Sequence, residues 1–96
     1  MNHYRLSRLA QADLSAIWTY SAEQWGVGQA DIYIRGLQRT IAAVAANPRL
    51  GRACDDIRAG YFKQPAGSHI LFYRLAGAGI EVARILHRRM DFERNL

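Results

Sequence analysis

Two apolar stripes of helical period, separated by one short glycine-containing break, constrain this chain more than any other feature. Leu14, Ile17, Trp18, Ser21 and Trp25 recur at three- and four-residue spacing, which puts them on one side of a helix. Trp25-Gly26-Val27-Gly28 interrupts the pattern, because glycine accepts the positive φ found just past helix ends. A second stripe follows in Ala30, Tyr33, Ile34, Leu37, Ile41 and Val44, and Asn47-Pro48 closes it, since the residue before a proline is pushed out of the α region. So short a break makes the two helices an antiparallel hairpin. Ser7 is placed to cap the first helix by accepting a first-turn N–H, and Tyr4-Arg5-Leu6 ahead of it is a strand candidate. The same spacing puts Trp18 and Trp25 in the helix core, where loss of either is expected to unfold the domain.

Beyond the hairpin the period changes. Residues 49–58 have no clear pattern and read as a loop, with Asp55-Asp56 as a solvated pair lacking any evident base or metal partner. Tyr61-Phe62-Lys63-Gln64 is a strand running into the turn Pro65-Ala66-Gly67. His69 to Leu75 and Ile80 to His87 flank the glycine-containing loop Ala76-Gly77-Ala78-Gly79, a β-hairpin signature. The tail from Arg88 to Leu96 is polar. Residues 1–96 are thus expected to form one α+β domain of order β-α-α-β-β-β, a helical hairpin on a small, mostly antiparallel sheet.

Closing the β-hairpin with Leu75 opposite Ile80 sets Arg74 against Glu81, a pairing of unlike charges that favours this register. One sheet face then carries Leu71, Tyr73, Leu75, Ile80, Val82 and Leu86, and the other Ile70, Phe72, Ala83 and Ile85. A one-residue slip reverses the assignment. Two helices cover one face, so the second is expected to be apolar and to need a cover. Either the tail folds back over it through Met90, Phe92 and Leu96, or a separate chain lies there or along a free sheet edge. Ile70, Phe72, Arg74, Ala83 and Ile85 are the candidates for that partner surface.

Charge narrows the partners. Basic residues outnumber acidic ones thirteen to eight, and twelve of the thirteen are arginine. The excess lies after Pro48, which fits nucleic acid, a nucleoprotein complex or an acidic protein, or else a solvated basic face. Arg84, Arg88 and Arg89 cluster at the end of the last strand, with Arg58 and Lys63 as spatial neighbours. Arg84 falls on the helix-facing side in this register and needs an acid there, Asp13 or Asp31. The lone Cys54 suits a reducing cytosol, and His3, His69 and His87 show no metal-ligand spacing, so no metal or other cofactor is expected. The longest apolar run, Ile41 to Ala46, is too short to span a bilayer, and no secretory signal is visible, so a cytoplasmic location is expected.

Several segments, in order and spacing, resemble ParE-type toxins of the ParE/RelE superfamily over nearly the whole chain. They are Tyr4-Arg5-Leu6-Ser7, Asp13-Leu14 with Ile17-Trp18, Trp25-Gly26, Asn47-Pro48 with Gly51-Arg52, and Gly60-Tyr61. Two longer runs complete the likeness, from Gly67 to Arg74 and from Ile85 to Asp91. The resemblance implies a RelE-like fold and a ParD-like antitoxin whose C-terminal segment wraps and neutralises the toxin. DNA operator contact would then come only indirectly, through that antitoxin. It also implies DNA gyrase, free or as its DNA complex, as the target, with a replication block. Arg58, Lys63, His87, Arg88 and Arg89 are then the target-binding candidates.

The RelE branch of the superfamily is a ribosome-dependent mRNA endonuclease. By position Lys63 and Arg89 match two of its basic residues, but an arginine early on the next strand falls at Ile70, Tyr61 replaces another basic residue, and Asn95 stands near its C-terminal tyrosine. An isoleucine offers no donor to a phosphate, so the set is broken. His69 and His87 are the remaining acid–base candidates. They lie on opposite faces in the register above, a one-residue shift would bring them together, and both otherwise read as structural. A non-enzymatic binder is therefore expected, with no catalytic residues. The alternatives are the ribonuclease or a degenerate, non-toxic module that only binds antitoxin.

Overall fold

The computed structural model describes residues 3–96. The first long helix, α1, spans Arg8–Trp25, and the Ser7 side chain caps it by accepting from the Ala10 N–H at 3.0 Å. Its partner α2 spans Val27–Ala46 and stops at Asn47, as the proline predicts. Gly26 alone separates them, with φ at +94°, a backbone state that glycine enters without steric cost. Ala10, Leu14 and Ile17 of α1 and Leu37, Ile41 and Val44 of α2 form the inner face. Trp18 is half-buried and joins the two helices, its indole N–H donating to Asp31 Oδ1 at 2.8 Å. Trp25 departs from expectation: it is 64% exposed. Its turn lies at the hairpin tip over an open groove, where it packs edge-on against Tyr20 and not into the core.

Five strands make one mixed sheet. They are β1 (Tyr4–Leu6), β2 (Arg52–Ala53), β3 (Tyr61–Ala66), β4 (His69–Ala76) and β5 (Gly79–His87), in the order β1-β5-β4-β3-β2. All neighbours are antiparallel except β1, which lies parallel to β5. The close approach of β1 needs Gly79, where any Cβ would collide with the His3 carbonyl oxygen that accepts the Ile80 N–H. The expected order is observed, with β2 added and β3 extended through Pro65 and Ala66.

Near its turn the β-hairpin adopts the expected register, with Leu75 opposite Ile80 and Arg74 opposite Glu81. Glu81 bonds both Arg74 (3.0 Å) and Arg5 (3.2 Å). The register then shifts, since Tyr73 faces Val82 while Phe72 faces Arg84, leaving Ala83 as an extra residue in β5. The bulge sits where β1 ends. Ser7 N–H donates to the Val82 carbonyl, the Ser7 hydroxyl to the Ala83 carbonyl at 2.6 Å, and the Ile85 N–H to Asp13 Oδ2 at 2.9 Å. Side chains from the start of α1 thus satisfy the strand edge that β1 no longer pairs. Past the bulge the faces reverse: Ile85 joins the helix-facing core, while Arg84 and Leu86 turn to the second face.

The second face is not open. Ile70, Phe72, Leu86 and Cys54 form a second buried cluster, packed over by Ile57, Tyr61, Phe92 and Leu96. A short helix, α3 (Phe92–Asn95), lies there, with Phe92 against Phe72 at 5.0 Å between ring centroids. The cover therefore comes from the chain's own tail together with the loop between β2 and β3. Met90, expected in the cover, remains exposed. Arg84 lies opposite Phe72, not on the helix-facing side, and its head reaches over the β5 edge. Nε and a terminal nitrogen clasp Asp13 at 2.9 and 3.0 Å, while the other terminal nitrogen donates to the Asn95 carbonyl at 2.8 Å. Asp13 is one of the two expected partners, and the clasp ties the helix layer to α3.

Candidate functional site

The exposed basic candidates fall at two ends of the sheet. Arg88 and Arg89 follow β5 next to the β3–β4 turn, where Arg88 Nε donates to the Gly67 carbonyl at 3.0 Å and its N–H to Ser68 O. Arg58 precedes β3 at the opposite end, with its guanidinium 5.1 Å from the Tyr61 ring centroid and a bond to the Leu96 carbonyl. Lys63 lies midway along β3, opposite Phe72 on the second face. The structure brings His87, Arg88 and Arg89 together and leaves Arg58 and Lys63 apart, as straps beside the second core. Of the five partner-surface candidates, Ile70, Phe72 and Ile85 are buried by the chain itself, Arg74 is ion-paired, and Ala83 is the bulge residue. An open apolar sheet face is therefore replaced by a sealed one.

Exposed large apolar side chains are scattered over the surface, and three of them gather at one end of the helices. Tyr20, Trp25 and Val27 are all more than half exposed at the hairpin tip, with Tyr20 and Trp25 edge-to-face at 6.0 Å. Beneath them a groove of about 760 Å³ runs between the helices and the sheet end, reaching Tyr33, Ser68, His69 and His87. None of its lining residues is acidic.

The bulge sets His69 directly opposite His87, with ring centroids 5.3 Å apart and the planes nearly perpendicular. Each Nδ1 is engaged. The Arg89 N–H donates to His87 Nδ1 at 3.1 Å. Tyr33 OH accepts the Ser68 N–H at 2.9 Å and shares a hydrogen bond of 2.6 Å with His69 Nδ1, in which either group can donate. The Arg89 N–H makes His87 Nδ1 an acceptor, which leaves the His87 Nε2–H as a donor. Burial, and then His87 beside it, holds His69 below the ordinary imidazole value, with Asp13 opposing. His87 therefore presents an N–H donor beside His69, which suits an acceptor oxygen. Ile70, at the position of a basic residue in the nuclease branch, is in the second core.

Tyr33 and Ser68 were missed by sequence reasoning. Tyr33 counted as one more apolar position in the α2 stripe, and its hydroxyl contact lies 36 residues away.

The segment from residue 4 to residue 92 matches the family model described as ParE toxin of type II toxin-antitoxin system, parDE. The chain belongs to the ParE toxin family. A protein named Toxin ParE1 from Mycobacterium tuberculosis is 57% identical, with 99% of this chain and 98% of that protein covered. A Toxin ParE1 from Caulobacter vibrioides is 48% identical over 100% of this chain and 99% of its own length. In fold, the chain is similar to a solved structure titled chromosomal ParDE TA system from P. aeruginosa, with a TM-score of 0.79 and 22% identity. That likeness covers 91% of this chain and 96% of the other. Among the described residues of this ParE-family chain, no helix is long and apolar enough to cross a membrane.

Proposed function

We propose that this chain is a cytoplasmic toxin that arrests growth by binding DNA gyrase, and that a ParD-like antitoxin neutralises it. Membership of the ParE toxin family, with full-length likeness to two proteins named as toxins, carries the reading. The exposed Tyr20, Trp25 and Val27 support an obligate neutraliser, since a cluster of large apolar side chains at one tip favours cover by a partner. The antitoxin surface is then this helical tip and not the sheet face. His87, Arg88 and Arg89 are the target contacts we favour, because they alone among the basic candidates share one accessible end of the sheet. Operator DNA is contacted only through the antitoxin.

Binding rather than catalysis is favoured by Ile70, which lies in the second core at a position where the nuclease branch carries a basic residue. Supercoiling and cleavage assays on purified gyrase with the isolated chain test the proposal. Loss of supercoiling, with cleaved DNA accumulating, is expected, together with relief by the co-expressed antitoxin. Unaffected gyrase with rapid translation arrest and codon-positioned mRNA cuts would establish the nuclease reading, and no growth effect at all the non-toxic module.

A further inference from the structure

We propose that the groove under the α1–α2 tip is a nucleotide site, holding a base against Tyr20 and Trp25 and its phosphate on the His69–His87 pair beside Arg88. The volume of about 760 Å³ falls in the small-molecule range, roughly 300–1,000 Å³, and far exceeds one side chain. Its outer wall is two aromatic rings more than half exposed, and a base stacks on such a surface whatever its identity.

The inner end is built differently. Both imidazoles line the groove; His87 Nδ1 accepts the Arg89 N–H, leaving its Nε2–H as a donor, and His69 Nδ1 is bonded to Tyr33 OH. Imidazole N–H groups suit the acceptor oxygens of a phosphate, and Ser68 lines the same groove. Arg88, next in sequence to His87 but outside the groove lining, donates its Nε to Gly67 O and adds positive charge near that end. The lining holds no carboxylate and the chain carries a net charge of +5, so charge favours a polyanion. The Arg89 contact also disfavours the obvious rival for two adjacent histidines. A metal on Nε2 would require a proton on His87 Nδ1, where the Arg89 N–H already points.

The groove shares His87 and Arg88 with the target contacts proposed above, but its test uses no gyrase, so either reading can fail without the other. Its test titrates purified toxin, without antitoxin, with AMP, with adenosine, and with short oligothymidylates with and without a terminal phosphate. Calorimetry and proton–nitrogen NMR of the indole, imidazole and Ser68 amide signals follow binding. AMP should bind and shift the Trp25 indole and both histidines, and adenosine should bind more weakly. Trp25→Ala, at an exposed position, should weaken AMP by about tenfold or more. His87→Phe, which keeps a ring but removes the donor, should reduce AMP to the level of adenosine. Preference for phosphorylated oligomers over AMP would support the same site and name a strand end as the source. Several results overturn the proposal: no shift with any of these ligands, equal AMP affinity in both variants, or shifts only with an acidic aromatic peptide.

Discussion

Replacing Phe92 with alanine tests whether the tail seals the second sheet face. Phe92 is half-buried, with its ring 5.0 Å from the fully buried Phe72 and neighbours in Ile70, Leu86 and Cys54. A fully buried phenylalanine loses about 3–5 kcal/mol on truncation to alanine. Half burial scales that to about 2 kcal/mol, a loss of apolar contact and of one aromatic pair. At a urea slope of about 1–2 kcal/mol/M the midpoint should fall by about 1–2 M, and the melting temperature by about 8–16 °C. Truncation before Phe92 should be worse, because it also removes Leu96 and the carbonyls of Asn95 and Leu96 that hold Arg84 and Arg58. The truncated chain should bind a hydrophobic dye such as ANS at low denaturant, where the intact chain does not. A midpoint unchanged within about 0.3 M, with no gain in dye binding, would refute the sealing role.

Four further outcomes follow from the same geometry. Asp13→Ala strands Arg84, only 17% exposed, and unpairs the Ile85 N–H; it should cost about 2–3 kcal/mol in urea unfolding, with partial recovery in Asp13→Ala/Arg84→Met. Because His69 is held below its unfolded value of 6.5, the unfolded state binds the extra proton; stability should be full above that pH and decline as pH falls below it, and Asn at position 69 should flatten the thermal-melt profile. Trp25→Ala should change stability by no more than about 0.5 kcal/mol, whereas Leu37→Ala should cost about 3 kcal/mol by the same unfolding measurement. Charge reversal of Arg88 and Arg89 together should abolish growth arrest in an expression assay while leaving the melting temperature nearly unchanged; retained toxicity would remove them from the working surface.

Local pattern carried a good deal of the fold. The stripes, the Ser7 cap, the stop at Asn47-Pro48 and the Arg74–Glu81 pairing each depend on residues close in sequence or on one short turn, and each is present. The candidate site was less legible. His69 and His87 could be named as residue types, but their adjacency required a bulge that no residue of the hairpin announces. Trp25 shows the opposite failure: its angular position was right, yet helical period says nothing about how far the sheet extends beneath a helix.

What the chain's own order of residues determined was therefore the elements and their sequence along the chain, because turns, caps and periodic stripes act over a few residues. Tertiary structure alone decided which face each strand residue takes past Tyr73, what covers the second face, and which polar groups meet in the groove. Ser7 lies 76 residues from the Ala83 carbonyl it binds, and Asp13 lies 72 residues from the Ile85 N–H. Those contacts satisfy backbone groups left unpaired where β1 stops, so the register of β5 depends on a helix start at the other end of the chain.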